Sequence, residues 1–84
     1  MYNIQPITIS VGSTSKTATK VNFISSYSPF ESTMPFSYTY YTETDEVIYD
    51  GSSSVDETLL SMWGENDEYI INVMATIVGC VVIW

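Results

Sequence analysis

The hydrophobic period of this chain changes once, at Gly51. Before it, the periodic stretches carry apolar residues at every second position, the mark of strands with one buried face; after it, as far as Gly79, they recur at helical spacing. Strands first and helices last resolve most simply into a single α+β domain. The expected architecture is a small, mainly antiparallel β-sheet or sandwich with a C-terminal helical pair and a short terminal strand. Residues 1–50 form the β-rich part, 51–79 a helical hairpin and 80–84 a terminal strand or tail.

In the first part, Pro6 to Val11 alternates, with Ile7, Ile9 and Val11 facing inward. Gly12 to Ser15 is a turn signal, and Thr17 to Ile24 is rich in β-branched residues, so a hairpin is predicted. Ser25 to Thr33 follows neither period and reads as a loop. From Pro35 to Thr42, Phe36, Tyr38 and Tyr40 share one face and small hydroxyl residues the other, apart from Tyr41. Glu43 to Asp45 carries a turn, and Glu46 to Asp50 is a short fourth strand ended by Gly51.

In the second part, Ser54 with Glu57 matches a capping box at a helix start. Val55, Leu59, Met62 and Trp63 would form that helix's inner stripe, and Gly64 would close it in the left-handed conformation. Asn66 is an N-cap for a second helix, with Asp67 and Glu68 at the positive end of its dipole. Ile70, Val73, Met74 and Ile77 would be its inner stripe, and Gly79 its stop.

Eighty-four residues make one domain with a thin core, since a chain this short buries only about 60–65 % of its unfolded surface. A single cysteine permits no internal disulfide. The net charge of −8 is segregated: residues 1–30 carry only Lys16 and Lys20, and residues 31–84 carry all ten carboxylates. An acidic surface repels phosphate backbones and anionic lipid, so neither nucleic acid nor a membrane is an expected partner. The first residues have no basic charge and no apolar run of signal-peptide length. Tyr69 to Trp84 is mostly apolar but is interrupted by Asn72, Thr76 and Gly79, and falls short of the roughly 18–20 residues that span a bilayer. It is expected to be buried in the protein.

Catalysis is not expected. The chain has no histidine, the residue type commonest in proton transfer and metal ligation. Glu43, Asp45 and Glu46 cluster at one turn and Glu65, Asp67 and Glu68 at another, yet neither set fits a calcium-loop pattern, and the second is explained by helix capping. Cys80 lies among Val78, Val81 and Val82 and reads as a buried, inert thiol. No Gly-rich phosphate loop and no activated serine setting is present. No catalytic residue, metal, cofactor or small-molecule substrate is therefore assigned.

Aromatic residues remain, and they serve either cores or interfaces. Phe36, Tyr38 and Tyr40 are assigned to the core. Tyr27, Phe30 and Tyr41 fit no periodic buried face and are interface candidates, together with Trp84 and the two lysines, Lys16 and Lys20. If the basic hairpin of one copy met the acidic remainder of the next, association would run head to tail and could close into a ring.

The segment from Val47 to Val82 resembles a layout among small structural proteins of tailed bacteriophages. The shared pattern is a strand ending in glycine (Glu46 to Gly51), an acidic helix start, Trp63-Gly64, and Asp67-x-Tyr69-Ile70 opening an amphipathic helix that ends at Gly79. The ending Val81-Val82-Ile83-Trp84 departs from it, and the first 45 residues have no counterpart. The resemblance implies a virion component such as a head decoration, a fibre base or a connector accessory. It would bind other virion proteins and copies of itself, and reside in the host cytoplasm before assembly. The competing expectation is an acidic phage-encoded inhibitor that mimics DNA.

Overall fold

The computed structural model describes residues 1–25, 32–64 and 66–84. Strands β1 (Tyr2–Val11), β2 (Thr14–Ser25), β3 (Met34–Tyr41) and β4 (Val47–Val55) form one antiparallel sheet in the order β1-β2-β3-β4. Helices α1 (Glu57–Ser61) and α2 (Asp67–Val78) follow. The α+β class expected from the change of period is the class observed. The loop expected over residues 25–33 falls mostly outside the described residues.

Both described hairpin turns have a local cause. β1 and β2 are joined by Gly12-Ser13 alone, with Val11 opposite Thr14. Gly12 sits at φ +63° while Ser13 keeps a negative φ, the arrangement in which a leading glycine matches the right-handed twist of the flanking strands. Between β3 and β4, Thr42 organises the loop. Its N–H donates to Glu46 O at 2.9 Å, its carbonyl accepts from Asp45 N at 3.0 Å, and its hydroxyl accepts from Glu46 N at 3.1 Å. Asp45 takes the left-handed conformation, φ +65°, which aspartate tolerates better than most residues.

Two irregularities interrupt the register of the sheet. The β1–β2 register shifts between Asn3 and Ile7, where Pro6 brings no N–H to the ladder. The shift lets both Ile4 and Ile7 reach the same interior. A second shift between Tyr40 and Tyr41 makes Ile48 an extra residue on β4 and turns it inward.

The core has two lobes. Ile4, Ala18, Val21, Tyr40 and Ile48 meet Ala75 of α2, with Cys80 and Val82 beyond it. Met34, Phe36 and Val55 meet Ile70 and Met74 of α2. Phe23, Tyr38, Ile71 and Val78 touch both lobes and join them. Ile4, Met34, Val21 and Val55 are the largest fully enclosed side chains, each worth about 1.5–3 kcal/mol of transfer free energy.

Three local expectations are corrected. β4 does not stop at Gly51 but continues to Val55, with Gly51 opposite Tyr38, Ser53 opposite Phe36 and Val55 opposite Met34. The small residues, read as a break, are what the bulky β3 row requires across from it. Because the ladder holds Ser54 and Val55, Ser54 does not cap a helix. Asp56 does, in extended conformation, its Oδ1 accepting from Leu59 N at 2.9 Å. Gly64 is not left-handed, and α1 already ends at Ser61 with Met62 as its C-cap. Two others stand: Asn66 caps α2 through a 3.0 Å bond from Glu68 N, and Gly79 closes it at φ +89°.

Candidate interaction surface

Among the described residues no group of three or more His, Cys, Asp or Glu side chains could hold a metal ion, and no helix is long and apolar enough to cross a membrane. Cys80 is buried in the first lobe, and burial pushes its thiol up, an effect that contact with the Tyr40 hydroxyl partly opposes. Tyr40 is itself raised, chiefly by burial and then by Cys80. Its hydroxyl donates to Val78 O at 3.3 Å. At neutral pH the buried thiol is held protonated. Tyr38 is raised as well, by burial and by neighbouring Tyr49.

Both lysines face carboxylates of their own chain. Lys16 Nζ pairs with Glu46, and Lys20 Nζ donates to Asp45 Oδ1 at 2.7 Å and to Glu43 O at 3.2 Å. The β1–β2 hairpin extends past the end of β3, so the β3–β4 turn meets it and brings the two charge signs together. To reach a neighbouring copy head to tail, each lysine would have to leave one of these contacts. The distance along the chain, 30 residues for Lys16–Glu46, hid the pairing from sequence reasoning.

The other interface candidates are scattered. Tyr41 is half-buried at the far end of β3, opposite Lys20. Tyr27 and Phe30 lie outside the described residues, as does Glu65 of the second acidic cluster. Trp84 is 60 % exposed, yet held in place. Its ring meets Tyr2 edge-on at 5.8 Å, and its Nε1–H donates to Asn72 Oδ1 at 3.0 Å.

Trp84 ends a segment that completes the sheet edge. Val82 bridges Ile4 in antiparallel fashion, Gln5 N donates to Val81 O at 2.9 Å, and Ile83 N donates to Asn3 O at 2.8 Å. Strand alternation follows. Cys80 and Val82 enter the core, while Val81 and Ile83 point away and stay 55 % and 52 % exposed. Val81 and Ile83 thus leave an outward apolar pair at this end, Trp84 beside Tyr2 and Asn72 is exposed as well, and Met1 is exposed at the other chain end. Sequence reasoning named Trp84 alone; the alternation of Cys80 to Ile83 was the available signal for the other two.

Fold and surface together define a small α+β protein, a four-stranded antiparallel meander with a C-terminal helix and an uncovered apolar end. No family model, curated protein or solved structure matches the chain.

Proposed function

We propose that this chain is a non-enzymatic assembly protein, a component of a tailed-phage virion such as a head decoration, a fibre base or a connector accessory. It acts by contacts with other virion proteins and with copies of itself, and is found in the host cytoplasm before it joins the particle. One observation carries the reading: Val81, Ile83 and Trp84 stand in water on a segment whose backbone is fixed by β1 and whose indole is fixed by Asn72. Holding a large aromatic ring ordered and exposed is what a contact surface requires, because little side-chain entropy is then lost on association.

The acidic groups support this reading over a DNA mimic. Asp45 and Glu46 are neutralised by lysines, Asp50 Oδ1 accepts from Thr39 Oγ1 at 2.7 Å, and Asp56 caps α1. These four carboxylates have partners within the chain, whereas a row of phosphate-like charge would hold them free.

The test is mass spectrometry of purified particles from cells producing the wild-type chain or the Ile83→Ser/Trp84→Ser variant. Wild type is expected at a fixed stoichiometry and the variant, folded by circular dichroism, is expected to be absent. Equal amounts of both, or neither, would overturn the proposal. Salt-sensitive binding to a nucleic-acid enzyme without incorporation into particles would favour the mimic.

A further inference from the structure

Helix α2 carries more apolar surface than the sheet covers. Its polar residues are Asp67, Glu68, Asn72 and Thr76, with Glu68, Asn72 and Thr76 on one stripe, and beside that stripe Ile77 is exposed while Tyr69 and Val73 are half-buried. Ile70, Met74 and Ala75 are buried against the sheet. On another side, Tyr69, Asn72, Val73, Thr76 and Ile77 join Leu59 of α1 to line an open groove of about 260 Å³. The groove is braced. The Tyr69 hydroxyl donates to Leu59 O at 2.9 Å, tying α1 to the first turn of α2, and Trp84 holds Asn72 along its length.

No lining residue is charged, but one end is strongly acidic. Asp56 and Glu57 open α1 just before Leu59, Asp67 and Glu68 open α2 just before Tyr69, and all four are exposed. The lining runs from residue 69 to 77, about 12 Å of helix rise, enough for two to three turns of a partner helix lying alongside.

We propose that this groove receives an amphipathic helix of another protein, one that lays apolar side chains at i, i+4 and i+7 along Val73 and Ile77 and places Lys or Arg against the four carboxylates. Helix-in-groove docking of this kind draws affinity from the apolar anchors and orientation from the charged end. A second copy of this chain is the wrong occupant. Its only two side-chain cations are Lys16 and Lys20, both already engaged with Asp45, Glu46 and the Glu43 carbonyl, so two copies would bring eight carboxylates together with no free lysine between them. The inference rests on the chain working by protein contact and names the partner chemistry for a surface distinct from the terminal residues Val81 and Ile83.

The experiment is an NMR titration of the 15N-labelled full chain with two synthetic 14-residue helical peptides. Both carry leucine at i, i+4 and i+7; one has lysines at its end, the other glutamates. The basic peptide is expected to shift the amide signals of Leu59, Tyr69, Val73 and Ile77, and to bind at least about tenfold more tightly than the acidic one at low salt. Ile77→Lys should abolish binding, and Asp56→Asn/Glu57→Gln/Asp67→Asn/Glu68→Gln, which keeps both helix starts capped, should erase the preference between peptides. Absence of shifts at millimolar peptide, equal binding of both peptides, or concentration-dependent broadening of the groove signals without peptide would each overturn the proposal. Particle incorporation is measured separately: a variant Ile77→Lys that binds no peptide yet enters particles leaves the assembly reading standing, whereas a groove that binds the peptide in a protein absent from particles leaves only the groove.

Discussion

The ring of Tyr38 lies across Gly51, its partner on the neighbouring strand: a methyl group on Gly51 would come within 2.8 Å of Cε1 and nearer still to Cζ and Oη, where real contacts essentially never fall below 3.0 Å. The half-buried ring has three aromatic neighbours. Tyr40 meets it edge-on at 5.6 Å, Tyr49 stands at 6.1 Å and Phe36 at 6.4 Å. A glycine that would weaken most strands here supplies the floor on which an aromatic row is stacked.

Gly51→Ala is therefore expected to destabilise. Overpacking costs typically 1–3 kcal/mol, and the gain from a less flexible unfolded chain returns part of it, leaving about 1–2 kcal/mol net. In a domain of this size that is a fall in Tm of roughly 4–16 °C. Adding Tyr38→Ala removes the clash, so the cost of Gly51→Ala should vanish or reverse in that background. A double-mutant cycle by urea unfolding measures it; additive effects would show that ring and glycine do not interact.

The displaced helix start makes a sharp comparison. Asp56→Ala removes the side-chain acceptor of Leu59 N and should cost about 1 kcal/mol. Ser54→Ala touches a strand residue paired with Pro35 and should change stability by less than about 0.5 kcal/mol. Thermal unfolding of the two variants side by side decides between the caps.

Cys80 and Tyr40 predict the alkaline limit of stability. Both are raised by burial, so the folded chain holds their protons more tightly than the unfolded chain does. The stabilisation is complete below the thiol's ordinary 9.0 and is lost as pH climbs from there through the folded value. Unfolding free energy should stay level on account of these groups from pH 6 to 8 and decline above about 9. Native Cys80 should react with a disulfide reagent at least about a hundredfold more slowly than in denaturant. Fast labelling of the native protein would show the thiol to be accessible.

Tyr40→Phe removes the hydroxyl that donates to Val78 O. The expected loss is about 0.5–1.5 kcal/mol, read as a lower urea midpoint with an unchanged m value.

The ion pairs matter for shape more than for stability. In Lys16–Glu46 the side chains are 40 % and 55 % exposed, so the coupling energy from a double-mutant cycle should be below about 0.5 kcal/mol and shrink further in salt. Charge reversal at Lys16 and Lys20 should leave the sedimentation coefficient unchanged; a drop in self-association would revive head-to-tail pairing.

Along this chain, local residue order was enough wherever one physical preference acted alone. The aromatic alternation of Phe36, Tyr38 and Tyr40, the glycine turn at Gly12, the Asn66 cap and the left-handed stop at Gly79 all follow from backbone geometry and the residue's own chemistry. Cross-chain partners decided the rest. Gly51 to Ser54 has the composition of a break, and only the bulk of Phe36 and Tyr38 across the ladder makes it a strand. That pairing in turn moved the helix cap from Ser54 to Asp56. Val73 and Ile77 share their apolar character with Ile70 and Met74, and which residues of α2 are buried depends on which side of the helix the sheet packs against. Likewise the +2 and −10 portions of the chain look separate until the β3–β4 turn sets Glu46 and Asp45 against Lys16 and Lys20. Hydrophobic burial is indifferent to sequence distance, and so the surface left for other proteins is defined only once the chain has folded onto itself.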